Sequence, residues 1–499
     1  MIQFQKDSYA NMVSDLIPTI GLEIHAELKT KTKMFCQSKN DTDETRPNVN
    51  ICPVCMAHPG TLPVINKEAV RRVLMVGYAV GGRVADYTEF DRKNYFYPDL
   101  PKGYQLSQYE YPLVEGGELA GVQLTRIHLE EDTARSQHDD TKGVTLIDYN
   151  RAGVPLMELV TEPVIHSAEE AGNFARELRL LLRTLGVSEA NMEKGEMRVE
   201  ANISVAPVGE LGTKTEIKNI NSFRAMERAV SFEIERQAKL IERGEDVIQE
   251  TRGWDDTKQV TFPQRIKEGS ADYRYFPDPD IPKLVLSEIP EFSWEAITKD
   301  TPELPWEKRV RLKAYGIVKD DIELYVKDEA LGSFFAEVTG HLGEDPELVK
   351  LASNYIASDL VKITRLRADT RGQVRDDQTR DMESQSEISI KPDKFADLIA
   401  MIAKQEISSR AGKDILLRMH TEGVDPRKVA ENEGLFQSNN ADDMLPVVQK
   451  VIAEHPEAVS EYKSGKETAL QYLVGQGMKE MRGAANPQLL AGLFAKEIL

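Results

Sequence analysis

The sequence predicts an α+β protein: a large mixed domain with a mainly antiparallel sheet, followed by an all-helical domain and a small helical tail. Three observations carry this. Residues 1 to about 295 show strand-like alternation broken by only a few helical patterns, with glycine, aromatic and acidic clusters among them. Near Thr301-Pro-Glu-Leu-Pro305 the texture becomes polar and helix-forming, and Pro302 and Pro305 mark a boundary. From about residue 430 a last short helical segment follows. The expected domains are 1–295, 296–429 and 430–499, in line with the roughly three domains expected for this length.

In chain order, the first informative element is Thr19-Ile-Gly-Leu-Glu-Ile-His-Ala-Glu-Leu28. Its even positions are apolar, while Glu23, His25 and Glu27 share the other face. A strand with a buried back and a carboxylate, imidazole, carboxylate front is a platform for a divalent metal; the alternative is an edge strand with a solvated polar face. Cys36, Cys52 and Cys55 come next, an odd number with no disulfide framework, as expected of a reducing compartment. Cys52-Pro-Val-Cys55 has the spacing of half a zinc site, with Cys36 as a third thiolate and His58 or a water as a weaker fourth ligand; the alternative is a pair of buried thiols in a turn.

Phe90-Asp-Arg-Lys-Asn-Tyr-Phe-Tyr-Pro-Asp99 and Lys102-Gly-Tyr-Gln-Leu-Ser107 set cations among aromatic rings, a combination suited to a nucleobase and its phosphates. In His128-Leu-Glu-Glu-Asp132 three successive acids repel one another, and a cation would relieve them. Strict alternation sends His128, Glu130 and Asp132 to one face and Glu131 to the other; a bulge would change which acid meets a metal. Glu158 sits inside the apolar run Pro155-Leu-Met-Glu-Leu-Val160, where its charge demands a metal, an Arg or a Lys.

Two helices interrupt this half. Ser167-Ala-Glu-Glu170 is a capping box, Phe174, Leu178, Leu181, Leu182 and Leu185 form the buried stripe behind it, and Gly186 ends the helix. A second is expected from near Asn221 to Gly244, burying Phe223, Met226, Val230, Ile234 and Ile241. Gly209-Glu-Leu-Gly-Thr-Lys-Thr215 imitates a phosphate loop but has the wrong order and spacing, and no nucleophile elbow is present. Beyond the boundary, Arg365 to Ser389 reads as an exposed loop or solvated helix end.

Composition sets further limits. With 40% hydrophobic and 29% charged residues the chain is an ordinary globular one. A bilayer span needs roughly 18 uninterrupted apolar residues, and neither such a run nor a secretory leader is present, so a cytoplasmic protein is expected. A formal net charge of -20 argues against a general nucleic-acid coat. The tail is no basic arm either, with five basic residues against four acidic ones from 461 onward.

Gly21-Leu-Glu-Ile-His25, Phe90 to Asp99, His128 to Asp132, Asn219-Ile-Asn-Ser-Phe223, Asp272-Tyr-Arg-Tyr-Phe-Pro277 and Leu473-Val-Gly-Gln476 occur in one order. Together they resemble the B subunits of the tRNA-dependent amidotransferases, from near residue 18 to the C-terminus. The resemblance implies a catalytic cradle domain, a helical domain and a helical tail that reaches tRNA. It also implies a C–N ligase that uses ATP and magnesium to phosphorylate the side-chain carboxylate of Glu-tRNA(Gln) or Asp-tRNA(Asn). Ammonia then displaces the phosphate. The glutaminase partner, GatA, supplies that ammonia through a channel and the small partner, GatC, clasps the two larger chains, making a heterotrimer; neither membrane nor DNA is an implied partner.

Carried over by position, the resemblance implies magnesium on His25, Glu131 and Glu158, with Glu23 and Glu130 beside them, and catalytic roles for Glu131, His25 and Lys93. Glu131 matches the channel mouth, where it would take a proton from arriving ammonia. ATP and its phosphates fall to Lys93, Lys102, Arg92 and Tyr95, and tRNA to Lys463, Lys466, Lys479 and Arg482. Some members carry a zinc site with C-x-C before C-x-x-C. Here Ser38 takes the second position, leaving Cys36, Cys52 and Cys55 as a zinc set one ligand short. The other reading of the chain is a tRNA-binding adaptor without catalysis.

Overall fold

The computed structural model describes residues 16–139, 141–266, 273–364, 388–437, 441–481 and 485–499. Arg482, Asp272, residues 1–15 and all but the last two residues of Arg365 to Ser389 lie outside them. The chain forms two compact units, Met1–Pro305 and Trp306–Leu499.

The first unit is organised by strand β1 (Leu16–Glu27). Ile20, Leu22, Ile24 and Ala26, with Leu28 just beyond, are each 1% exposed or less. Burying each of the larger side chains stabilises the fold by at most about 1.5–3 kcal/mol. β1 is not an edge strand: it lies in the middle of a ten-stranded sheet. The chain then supplies β2 (Asp91–Asn94), β3 (Tyr104–Ser107), β4 (Val122–Glu131), the hairpin of β5 (Arg135–Asp139) and β6 (Val144–Asp148), and β7 (Pro155–Thr161). They are followed by β8 (Met197–Pro207), β9 (Thr215–Ile220), β10 (Glu250–Asp255) and β11 (Val260–Ile266). The large sheet runs β11-β10-β9-β8-β1-β7-β4 and ends in the short strands Val114–Glu115 and Arg83–Val84. Its pairings are antiparallel except β9 with β10. β2 and β3 form a separate small sheet with Phe276–Pro277.

Helix α1 (Lys67–Ala79) is capped by Asn66, whose side chain accepts from the amides of Glu68 and Ala69. Helix α2 (Ala168–Thr184) opens on Ser167, whose hydroxyl accepts from the Glu170 amide, and that glutamate accepts from the His166 amide. Helix α3 (Phe223–Glu242) departs from the expected stripe. Its inner face ends in buried Glu233 and Gln237, while Ile234 and Ile241 stay half-buried. Glu233 accepts from Arg236, Gln237 and Thr261 and lies 3.6 Å from the buried Arg252, tying the helix to β10 and β11 by charge.

The second unit is helical. Its first part contains α4 (Pro305–Ala314), α5 (Lys319–Lys327), α6 (Glu329–His341), α7 (Pro346–Asn354), α8 (Pro392–Ala403), α9 (Ser409–Glu422) and α10 (Pro426–Asn432). Tyr325 stacks on Phe335 in its core and shares a 3.0 Å hydrogen bond with Ser353. The last helices, α11 (Ala441–Glu454), α12 (Pro456–Lys463), α13 (Glu467–Glu480) and α14 (Pro487–Ile498), close on Met444, Val448, Val451, Leu473, Leu490, Phe494 and Ile498. Gly477 permits this packing: a Cβ there would lie 2.9 Å from Leu490 Cδ2 and 3.1 Å from a Phe494 ring carbon.

Candidate active site

Register builds the site. β1, β7 and β4 are neighbours, and their pairing sets His25 opposite Glu158 and Glu158 opposite His128. The result is an imidazole, carboxylate, imidazole row across the sheet. Glu23 joins from two residues along β1, Glu130 from two residues along β4, and β4 has no bulge at this point.

His25 Nε2 lies 3.3 Å from Glu158 Oε2, 3.5 Å from Glu130 Oε1 and 4.0 Å from Glu23 Oε1. His128 Nε2 is 3.5 Å from Glu158 Oε2, and Arg126 is 3.6 Å from its other oxygen. Burial opposes the charge on His25, but Glu158, Glu130 and Glu23 outweigh it and hold the imidazole up at about 9. His128 is pushed down to about 4 by burial, despite Glu158. Burial also works against the Glu158 charge, yet the two histidines and Lys93 keep this carboxyl well below the usual range. Glu23 rises to about 7 through burial and the charges of Glu158 and Glu200, and Glu130 rises for the same kind of reason.

Glu23 and Glu130 are shifted upward because they are crowded and dehydrated. The ligand atoms of Glu23, His25 and Glu158 lie within 4.8 Å of one another, as do those of His128, Glu130 and Glu158. His128 Nδ1 is buried without a hydrogen-bond partner. Oxygen ligands mixed with imidazole fit a divalent cation, whose charge would let the acids ionise.

Glu131 is not brought into this group. Alternation turns it to the opposite face, where its oxygens accept from Lys102 Nζ at 2.5 Å and the Leu106 amide at 3.0 Å. Of the expected residues, the structure thus brings Glu23, Glu130 and Glu158 to His25, with His128 adjoining, and leaves Glu131 with Lys102. Lys102 is occupied by Glu131. Arg92 is engaged by Asp278 at 2.6 Å and Asp280 at 3.2 Å and lies over the Tyr104 ring. Lys93 lies 5.1 Å over Tyr273, and Glu130, Glu158 and Tyr275 raise its pKa although burial opposes this. Tyr95 donates to Gln105 and its ring touches Tyr273.

Several members of the constellation were not anticipated. Arg126 could have been, since it precedes His128 by two residues on one strand. Glu200 and Glu216 gather with Glu23 from two further strands, and only the register of β8 and β9 brings them there. Asp132 shares that face, close enough to Glu130 for its charge to be felt, and is held by Arg198 at 2.9 Å and Arg151 at 3.6 Å.

Cys36, Cys52 and Cys55 do meet, their sulfurs within 4.8 Å. His58 is not among them. The fourth position holds the Ser38 hydroxyl, 3.9 Å from Cys55 Sγ, and the buried Lys33 ammonium is equally near that sulfur. A cation already faces the thiols, so the group does not match a closed structural zinc site. In the tail, Lys463, Lys466 and Lys479 are exposed on or beside α12 and α13, and Lys466 pairs with Glu461 at 2.9 Å.

Fold and site together define a sheet-based domain with a central cluster of carboxylates and imidazoles, in a chain whose second unit is helical. The family model described as the GatB/GatE catalytic domain matches residues 18–290, and the GatB domain matches 343–498. Similar proteins extend over almost the whole chain. The B subunit of the aspartyl/glutamyl-tRNA(Asn/Gln) amidotransferase from Thermodesulfovibrio yellowstonii is 42% identical over 489 residues, covering 96% of this chain and 98% of the relative. The protein of the same name from a Synechocystis species is 40% identical over 505 residues, covering 97% and 98%. That from Caldicellulosiruptor bescii is 40% identical over 491 residues, covering 96% and 98%. The chain belongs to the GatB/GatE family.

Proposed function

We propose that this chain is the B subunit of a glutamine-dependent tRNA amidotransferase. In this reading it uses ATP to phosphorylate the side-chain carboxylate of Glu-tRNA(Gln), Asp-tRNA(Asn) or both, and presents the acyl phosphate to ammonia. The observation that carries the chemistry is the row His25, Glu158, His128 with Glu23 and Glu130 beside it. These residues would hold magnesium, which when bound supplies positive charge to the phosphates of ATP.

The chain's own groups do the rest. Lys93 places a fixed cation beside the acid row, where it can draw the transferring phosphoryl group toward the substrate carboxylate. Tyr95, Tyr273 and Tyr275 wall this approach with aromatic faces that suit a base or ribose. Glu131 stands on the other face with Lys102 and is the group we assign to take a proton from incoming ammonia, releasing Lys102 as it does so. Arg92 braces the small sheet through Asp278 and does not touch phosphate in this reading.

In this reading, which follows the family resemblance, a partner glutaminase and a small clasping protein complete a cytoplasmic heterotrimer, and the lack of an evident nucleophile for glutamine hydrolysis in the sequence agrees with a separate glutaminase. Residues 1–295 form the catalytic cradle, 296–429 a helical domain and 430–499 the tRNA-binding tail. The test is magnesium-dependent ATP cleavage by the chain with its two partners, with and without each misacylated tRNA. Cleavage should require one of the tRNAs and fall by at least about a hundredfold in Glu158→Gln. Binding of tRNA without cleavage would leave an adaptor in place of an enzyme.

A further inference from the structure

The geometry points to a ladder of tyrosine rings, with Arg274 among them, as the seat of the unpaired 3′ nucleotides of the aminoacyl-tRNA, the part of that substrate which carries the amino acid. The inference rests on the tRNA-dependent reading above and names where this substrate enters the site.

The rings form an unbroken chain. Tyr97 meets Tyr95 at 5.9 Å between centroids, Tyr95 meets Tyr273 at 6.0 Å, Tyr273 meets Tyr275 at 6.1 Å, and Tyr275 stacks on Tyr109 at 4.2 Å. Rings that served only a core would be covered at both ends. Here both ends are open, Tyr97 being 55% exposed and Tyr109 47%. At the middle of the ladder Lys93 Nζ lies 5.1 Å over Tyr273 and feels the charges of Glu130 and Glu158. The ladder therefore leads from solvent to the acid row.

Arg274 stands between two of these rungs in a conformation that its residue type resists. Its φ is +44°, in the left-handed region that glycine takes freely and residues with a Cβ do not. The turn is held by Asn94, the residue after Lys93, whose side-chain amide donates to the carbonyls of Tyr273 and Arg274 at 3.2 and 2.8 Å. The pairing of Phe276 with Arg92 fixes the chain just beyond it. Glycine would serve that turn more cheaply, yet the position carries an exposed arginine whose side chain, among the described residues, makes no ion pair or hydrogen bond. Strain of this kind collects where a group is held ready for a ligand. The group is a guanidinium, a planar fork of donors that matches a phosphate.

Aromatic faces in series with an uncommitted guanidinium among them suit a single strand of RNA. Bases stack on the rings whatever their identity, and the phosphate between two bases meets the cation. A duplex keeps its bases stacked on one another and gains nothing from such rings. The base of ATP would occupy one rung and leave the others unused, so the length of the ladder favours a strand. An aminoacyl-tRNA ends in such a strand. Laid along the rings, it brings the amino acid at its tip to Lys93 and the acid row.

The chain, assembled with its two partners, is titrated with intact tRNA and with the same tRNA trimmed of its unpaired 3′ nucleotides. Wild type should bind the intact form more tightly by roughly tenfold or more, the worth of one or two stacked bases. Arg274→Met and Tyr97→Ala both change exposed side chains. Each should lose most of that advantage, bind trimmed tRNA as wild type does, and raise KM for aminoacyl-tRNA by roughly fivefold or more, with KM for ATP within about twofold. Arg274→Met should also lower the slope of log K against log salt by about 0.7, which Tyr97→Ala should leave alone. Wild type that binds intact and trimmed tRNA alike would overturn the inference. So would variants in which KM for ATP rises while the intact form keeps its advantage, since the ladder would then hold the nucleotide. Failure of the underlying reading looks different: the wild-type complex would cleave ATP without regard to tRNA, and the inference would fall with it.

Discussion

Glu130 and Glu131 are neighbours in the chain and sit in opposite environments. Glu130 faces His25 across 3.5 Å, while Glu131 is paired with Lys102. Their replacement should separate two functions. Glu130→Gln is expected to weaken manganese or magnesium binding by at least about tenfold, as read by calorimetric titration, with Glu131→Gln within about twofold of wild type. Equal losses in both variants would sink the assignment. A pH dependence follows from the same row. Without a cation, His25 holds its proton up to about 9 and Glu23 up to about 7, so binding must displace those protons at neutral pH. The sign is fixed: the competing protons leave as pH rises, so cation affinity should increase from pH 6 to 9 and proton release should be largest at the low end. An affinity flat across that range, measured in buffers of different ionisation enthalpy, would contradict the crowded-acid picture. At this scale the sequence was readable where period-2 alternation alone decides orientation, as for Glu23, His25, His128 and Glu130. Glu200 and Glu216 were not, because their approach to Glu23 depends on strand register set by residues far away in the chain.

Among elements, α3 departs most from an apolar stripe. Where the period predicts Ile234 and Ile241 inward, the helix buries Glu233 and Gln237. The inner face is therefore fastened by hydrogen bonds: Gln237 accepts from the Val205 amide, and Glu233 receives Arg236 and Thr261 beside the buried Arg252. Removing one partner leaves the others buried and unanswered. Glu233→Ala is expected to cost about 3–5 kcal/mol, seen as early proteolysis within the α3, β10 and β11 region. Replacing Ile234 should cost much less, since it is only half-buried. A variant at Glu233 as protease-resistant as wild type would refute the fastening. By contrast α2 follows its sequence closely, with Ser167 as cap, Phe174, Leu178, Leu181 and Leu182 buried, and Gly186 at φ +65° beyond its end. Capping and apolar periodicity are local signals. A polar network shared by a helix and two strands is not, since Glu233, Arg252 and Thr261 are far apart in sequence.

At the scale of the whole molecule, a chain of net charge -20 that acts on tRNA must confine its cations to short stretches. The separation of the chain into a sheet-based and a helical unit was evident from the change in texture near residue 305. A use for the helical end was not evident from charge, for its basic residues scarcely outnumber the acidic ones. Exposure sharpens the point. Lys463, Lys466 and Lys479 all reach solvent from a bundle whose interior is wholly apolar at Met444, Val448, Leu473, Leu490 and Phe494. Changing their sign therefore leaves the core intact, whereas Gly477→Leu would push α13 off α14 and cost about 1–3 kcal/mol by overpacking. The triple change to Glu should lower tRNA affinity by at least about tenfold at low salt and flatten its salt dependence, because each lost phosphate contact removes about 0.7–0.9 from the slope of log K against log salt. Thermal unfolding should match wild type, and ATP cleavage should recover at saturating tRNA if the tail serves docking alone. The salt slope is the discriminating quantity, since a variant that bound weakly with an unchanged slope would have lost shape and not phosphate contacts, and the lysines would then have no direct part in holding the RNA.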